Sequence, residues 1–471
     1  METDKKINTL KDFISKGGNI IKTRDDRDLI FIDKDGKILD GEDMCDWIPE
    51  DNIVSTSIYR SRIEPWLTSL FQSEHLSLLI GSGISTAMNY LVGAGSGATM
   101  GTVSFSNYKK EIETAAEASA IACGRGKGNI EDQIRIANDL LLGLKILGKN
   151  EEASALEENI NSVISNFAQS ILNGENTIAK SDEKKREEVC STLVNFLLSF
   201  ASRTGNRERL NIFTTNYDRL IEMGAELAGI HLMDRFVGSL MPIFRSSRLN
   251  LDLHYNPPGI RGEPRYLEGV ARLTKLHGSV DWIQNSNEIR RIGLPFGAED
   301  IAPYLNAPGL KNDGAMKLMI YPNSAKDRET AEYPYVELFR DYAAAICRPN
   351  STLVTYGYSF GDEHINRIIQ DMLTIPSTHL VIISYDDPLD RIIEFYKKSG
   401  HSAQMTVLVG HNLGDFTNLA NDYLPKAAID RATIRMSELL QHRLGVHAND
   451  SKKSTLHESE ASNILPTDVN Y

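Results

Sequence analysis

The sequence predicts an α/β fold: a Rossmann-like parallel sheet carrying a helical insertion and an N-terminal extension. Three observations lead there. Leu76 to Thr86 reads LSLLIGSGIST, an apolar run suited to a strand buried on both faces, followed at once by a glycine-bracketed turn. Further strand-like runs stand at Leu210 to Thr214, Arg272 to Leu276, Lys317 to Tyr321, Thr352 to Tyr356, His379 to Ser384 and Met405 to Val409. Helical patterns separate several of these, among them Tyr217 to Leu227, Glu363 to Leu373 and Leu389 to Lys398, as expected of parallel strands joined by crossovers.

Size and composition bound the answer. A chain of 471 residues exceeds one typical domain but suits a single enlarged α/β domain with insertions, and a hydrophobic fraction of 41% supplies a substantial core. The net charge of −13 argues against nucleic-acid binding through an overall basic field. METDKKINTLKDF has no apolar segment after its charges, and no apolar run is long enough to cross a bilayer, so the expectation is a cytoplasmic protein without membrane partners. Cys45, Cys123, Cys190 and Cys347 are widely scattered, and no CxxC pair exists to build a zinc module.

Taken in order, residues 1–55 read as an extension for docking or oligomerisation. Within it, DLIFIDKDGKILDG (Asp28 to Gly41) alternates around Asp35-Gly36 as a hairpin does. It also faintly resembles a calcium loop, but Phe31 stands where the first acidic ligand belongs. A helix over Ser57 to Gln72 leads into the strand that precedes Gly81, and residues 56–425 form the main domain. The glycines at 93, 95 and 97, with Ala98, match the letters of a dinucleotide fingerprint, yet no good strand precedes them, so a loop over the site is expected. Residues of about 109–203 are a helical insertion, with Ile134, Leu140, Leu141, Leu144 and Ile146 spaced for buried faces. Pro242 to Pro264 is a polar excursion, and residues 426–471 hold a last helix, around Asp430 to Leu444, and a polar tail.

Candidate chemistry clusters at strand ends, where open α/β sheets bind ligands. Gly81 and Gly83 lack a Cβ, so the turn reads either as a plain tight turn or as one whose N–H groups hold a phosphate. In TNYD, Asn216 and Asp218 read as helix caps or as site residues. His277 follows a strand with Gly278 beside it; it is either a structural histidine or, near a sugar, a general base. Gly357 would allow close approach and Ser359 offers a hydroxyl, while Asp362 reads as the cap of the helix starting near Glu363. Ser384, Tyr385 and Asp386 end another strand, where adenine or its ribose rests in such folds.

Together these segments resemble the sirtuin superfamily. GSGIS (Gly81 to Ser85) resembles the sirtuin GAGIS loop, TNYD (Thr215 to Asp218) resembles QNID, LHGS (Leu276 to Ser279) resembles the segment bearing the catalytic histidine, and YGYSF resembles a later GTSL-type loop. The resemblance implies NAD as substrate, with Gly81, Ser82, Gly83, Ser85 and Thr215 on its binding loops. It further implies Asn216 on the nicotinamide ribose, Asp218 near the carboxamide, His277 as base and Ser359 on the phosphates or ribose; Gly357 and Asp386, read from their strand ends, complete the expected contacts. The paired cysteines of the sirtuin zinc module and its PDFR-like stretch are missing, which speaks against protein deacylation and implies a reaction requiring no metal. In this the chain is more similar to sirtuin-like effectors of bacterial antiphage defence paired with a HerA-type hexameric ATPase; IYPNSAK (Ile320 to Lys326) and GYSFGDEHIN fit that branch. The implied activity is hydrolysis of NAD to nicotinamide and ADP-ribose within a homo-oligomeric ring. A non-catalytic NAD or ADP-ribose sensor, a nuclease working beside the ATPase, and a deacylase are the competing readings.

Overall fold

The computed structural model describes residues 10–23, 25–41, 43, 45–95, 101–122, 128–203, 207–246, 254–255, 265–285, 288–305, 318 and 333–426. Ten strands form its main sheet: β1 (Asn19–Lys22), β2 (Ile30–Ile32), β3 (Ile38–Asp40), β4 (His75–Ile80), β5 (Leu210–Thr214), β6 (His231–Met233), β7 (Val270–Lys275), β8 (Ser351–Tyr356), β9 (His379–Ser384) and β10 (Met405–Gly410). The helices that matter here are α1 (Thr56–Phe71), α2 (Gly83–Leu91), α3 (Lys109–Ala122), α4 (Ile130–Ile146), α5 (Asn150–Ala179), α6 (Glu183–Ala201), α7 (Leu220–Leu227), α8 (Tyr335–Ile346), α9 (Glu363–Leu373) and α10 (Arg391–Ser399).

The central strands are apolar at consecutive positions because both faces of the sheet are covered. Leu76, Leu78 and Ile80 of β4 join one core with Ile63 of α1, Met88 of α2 and Phe196 of α6. Leu79, pointing the other way, joins a second core with Tyr342 of α8, Ile369 of α9 and Ile393 of α10. The period-two alternation of strand side chains thus feeds two separate helical layers from one short run.

Strand order is β3-β2-β1-β10-β9-β8-β4-β5-β7-β6. From β10 to β6 neighbouring strands pair parallel, as the sequence led us to expect of an α/β sheet. Strands β5 to β7 lie on one side of β4 and β8 to β10 on the other, so the sheet's topological switch point lies between β4 and β8. Ligands of open α/β sheets sit in the crevice at that point.

The expected hairpin around Asp35-Gly36 is present, with Gly36 at φ +84°. Its strands extend the main sheet: β1 pairs antiparallel with β10 and β2 with β1. Helix α7 starts at Leu220 rather than Tyr217, because residues 217–219 form the turn that delivers site residues. Gly93, at φ +83°, closes α2; its N–H donates to the Tyr90 carbonyl and that of Ala94 to the Asn89 carbonyl, a Schellman arrangement that explains this glycine without a nucleotide. Gly95, at φ +77°, ends the described part of that cluster; Gly97 and Ala98, most of Pro242 to Pro264, the Lys317 to Tyr321 strand except Leu318, IYPNSAK, Cys123 and the last helix and tail lie outside the described residues.

The insertion is a helical layer with its own core, in which Ile134, Leu141 and Leu144 of α4 pack with Leu156, Ile164 and Phe167 of α5. Leu140 is only partly buried and Ile146 is 75% exposed, so the buried stripe is narrower than the apolar spacing suggests. Tyr217 and Val280 belong to the same cluster, which seats the insertion against the carboxyl edge of the sheet. No helix among the described residues is long and apolar enough to cross a membrane.

Candidate active site

The turns after β4, β5, β7 and β8 open onto one cavity of about 820 Å³, within the range of small-molecule sites. Gly81, Ser82, Ser85, Thr215, Asn216, Asp218, His277 and Ser359 all line it. Gly83, Gly357 and Asp386 are not among the lining residues. The facing wall is the helical insertion, through Gly128, Asn129 and Glu131 at the start of α4 and Phe167, Ile171, Gly174 and Glu175 of α5.

The glycine turn differs from its expected use. Gly81 N–H donates to the Tyr356 carbonyl and Gly83 N–H to the Gly357 carbonyl, both at 3.0 Å. These two donors therefore tie the first turn to the turn after β8 and are not available to a phosphate. A Cβ on Gly81 would lie 2.4 Å from the Gly357 oxygen, and one on Gly83 would lie 2.5 Å from the Gly357 Cα. Gly357 itself has φ +59°. All three glycines are required by the contact of two turns across the switch point, which in turn holds Ser82 and Ser85 at the cavity.

A polar group sits beside that contact. Asn216 Nδ2 donates to the Gly81 carbonyl at 3.0 Å and to Ser85 Oγ at 3.1 Å, which fixes the amide and leaves Oδ1 as its acceptor. Ser85 Oγ donates to Asp218 Oδ2 at 2.5 Å. Asp218 Oδ1 accepts from Leu220 N–H at 3.2 Å, so this residue combines the capping expected of it with a place in the site. Its carbonyl accepts from the buried Lys275.

His277 forms a second group with a residue whose sequence suggested only a cap. His277 Nε2 lies 2.9 Å from Asp362 Oδ2, while Asp362 Oδ1 accepts from His364 N–H at 3.1 Å at the start of α9. Because a carboxylate only accepts, Nε2 carries the proton and Nδ1 is the basic nitrogen of the ring. The side chains are 11% and 6% exposed, and the carboxylate holds the imidazole in this orientation. Tyr217 packs near His277, with ring centroids 6.5 Å apart, and donates to Glu131 Oε1 at 3.0 Å. Burial first, and the Glu131 carboxylate second, raise the Tyr217 phenol well above its ordinary range, so it stays protonated and works as a donor. Tyr358 is raised well above that range too, by burial and then by Asp362.

Two contributors escaped sequence reading. Glu175, 1% exposed on α5, accepts from the backbone N–H of Arg219 at 2.8 Å and from Nε at 3.2 Å, as well as from Nη2. The guanidinium also donates to the carbonyls of Leu294 and Pro295. Burial pushes the Glu175 carboxyl up and Arg219 only partly draws it back; burial pulls the Arg219 guanidinium down, and Glu175 with Asp281 and Glu222 leaves it raised. Only an ionised carboxylate can accept this set of bonds from a permanently charged guanidinium, so the pair is ionic. It clamps the TNYD turn to the insertion. Arg391, the first residue of α10, lines the opposite wall with Ser359 and Gly361, where a cation suits a phosphate. Phe360 at φ +52° and Asp390 at φ +54° flank these positions, and such backbone strain concentrates at functional sites.

Asp387 holds the start of α10 by accepting from Ile392 N–H and Ile393 N–H, both at 3.1 Å for Oδ2. Burial nonetheless pushes its carboxyl up from 3.8 to about 6, its backbone hydrogen bonds only partly offsetting this. A raised carboxyl favours the folded state when protonated, so this residue's contribution falls as pH rises from about 4 to 6, by at most about 3 kcal/mol. Asp387→Asn should therefore gain stability relative to the parent chain between pH 4.5 and pH 7. Urea midpoints at the two pH values measure this, and an equal difference at both would contradict it.

The matched domain spans three of the four site segments. Residues 210–403 match the family model of a SIR2-like domain. The SIR2-like domain takes in TNYD, LHGS and the YGYSF loop, agrees with the sirtuin-like α/β fold, and implies NAD chemistry. The glycine turn of Gly81 precedes the SIR2-like domain in the chain and meets it at the cavity. No curated protein matches. Among solved structures, one described as "The Structural basis of Sirtuin Substrate Affinity" aligns at 14% identity and a TM-score of 0.32, covering 80% of this chain and 99% of that one. Among the described residues no group of three or more histidine, cysteine, aspartate or glutamate side chains could hold a metal ion.

Proposed function

We propose that the chain hydrolyses the nicotinamide–ribose bond of NAD, releasing nicotinamide and ADP-ribose. The observation that carries this is the convergence of Asn216 and His277 on one cavity, at the sheet's switch point and within a SIR2-like domain. The charges along the walls support it. Asp218 and Glu131 line the side assigned to the positively charged nicotinamide, while Arg391 and Ser359 line the side assigned to the pyrophosphate.

In the reaction the C1′–N bond breaks with its electron pair passing to the pyridine nitrogen, and nicotinamide leaves neutral. The oxygen of one water adds to C1′, and His277 Nδ1 takes the proton that this water loses. Asp362 stabilises the imidazolium through Nε2. Asn216 Oδ1 accepts from a ribose hydroxyl or the attacking water and so fixes the line of attack. General base catalysis of this kind is worth about two to four decades in rate, and positioning supplies much of the remainder.

The same reading makes the chain an effector that depletes NAD during phage infection, in a homo-oligomeric ring with a HerA-type ATPase. Its support is the likeness of IYPNSAK and GYSFGDEHIN to that branch. Incubating the purified chain with NAD, alone and with the ATPase, and resolving the products by chromatography tests the activity. Equal amounts of nicotinamide and ADP-ribose are expected. NAD that is bound but returned intact under both conditions would favour the sensor reading, and a chain that neither binds nor consumes it would end the NAD assignment.

A further inference from the structure

Asn89 lies on α2, one turn beyond Ser85, and lines the cavity while only 3% exposed. Its Nδ2 donates to the Ser85 carbonyl at 2.8 Å. Its Oδ1 is shut off from solvent and has no hydrogen-bond partner among the described residues. A buried carbonyl oxygen without a donor is costly, so this acceptor is explained by a donor that arrives from the cavity. Gly174 of α5 stands across from Asn89, where a Cβ would lie at an ordinary van der Waals distance of 3.7 Å from Nδ2. A second acceptor stands nearby, the Asp218 carboxylate across Ser85.

On the NAD reading, this is the corner that takes the base end of the substrate, since Asn89, Ser85, Asn216 and Asp218 form one connected set. We infer that Asn89 Oδ1 accepts a hydrogen bond from the amino group of the nicotinamide carboxamide and thereby selects pyridine dinucleotides bearing a primary amide. The inference rests on the proposed function but adds to it a residue and a specificity.

The test compares NAD with its 3-acetylpyridine analogue, in which a methyl group replaces the amide nitrogen, and with its hypoxanthine analogue, which lacks the adenine amino group. Binding is measured by calorimetry on the full chain carrying His277→Ala, with Asn89 retained or replaced. With Asn89, NAD should bind about tenfold or more tighter than the acetylpyridine analogue. Asn89→Leu should erase that preference, while Asn89→Asp, which keeps an acceptor of the same shape, should retain it. An equal preference in the Asn89→Leu chain, no preference with Asn89 present, or a preference that follows the hypoxanthine analogue instead would each overturn the inference and leave NAD binding standing. A chain that binds none of the three dinucleotides would overturn the NAD reading and this inference with it.

Discussion

Replacing His277 by alanine should lower the rate of nicotinamide release by about two to four decades while leaving the fold intact. The argument is geometric. His277 stands on a turn just beyond β7, its Nε2 is held by Asp362, and Nδ1 is left as the group able to take a proton. Removing the imidazole takes away the base and strands the Asp362 carboxylate, but Asp362 keeps its role at the start of α9 through His364 N–H, so the helix is retained. Asn216→Ala should lose activity on a similar scale by a different route. Its amide joins Gly81 to Ser85 across two turns, and without it neither ribose nor water is oriented. A second check tests the pairing: Asp362→Asn, which leaves His277 in place but removes the carboxylate that orients its ring, should also lower the rate of nicotinamide release. Nicotinamide release, with circular dichroism to verify folding, decides this. Unchanged turnover in both His277→Ala and Asn216→Ala would reject the assignment.

The largest stability effect should come from Glu175→Ala. The carboxylate is buried and pairs with Arg219, while the guanidinium is further held by two backbone carbonyls. Breaking a buried pair from one side leaves an uncompensated charge, with an expected loss of about 3–5 kcal/mol, because Arg219 cannot deprotonate to escape it. Exchanging both partners, as Glu175→Leu with Arg219→Met, should cost much less, since no charge is then stranded. Urea unfolding of the single and double variants measures the difference. A Glu175→Ala chain as stable as its parent would show that the clamp between insertion and TNYD turn contributes nothing.

Much of this site is legible in the sequence because it is built from strand ends. Leu76 to Ile80 and Leu210 to Thr214 announce themselves as doubly buried strands, and in a parallel sheet the residues after them must share one edge, which brings Gly81, Asn216, His277 and Ser359 together. Features fixed by contacts between distant segments are not legible in that way. Glu175 and Asn89 sit on amphipathic helices, where nothing in the local pattern marks a residue that faces a cavity instead of solvent. Asp362 reads as a cap, and it is one; that its other oxygen reaches His277 depends on the chain after β8 extending over the ends of β4 and β5 to the turn after β7. Glycine conservation of space was readable, but its purpose was not: Gly81, Gly83 and Gly357 make room for one another, and that pairing needs the order β8-β4. The same holds for β1, whose partner β10 lies at the far end of the chain.

The central claim is that the nicotinamide ribose of NAD lies between Asn216 and His277. A crystal structure of the full chain carrying His277→Ala, grown with NAD, tests it most directly. The account predicts the dinucleotide in the cavity, with its carboxamide toward Asn89 and Asp218, its ribose beside Asn216 and its pyrophosphate toward Ser359 and Arg391. NAD bound elsewhere, or bound here with adenine in the corner of Asn89 and Asn216, would contradict it.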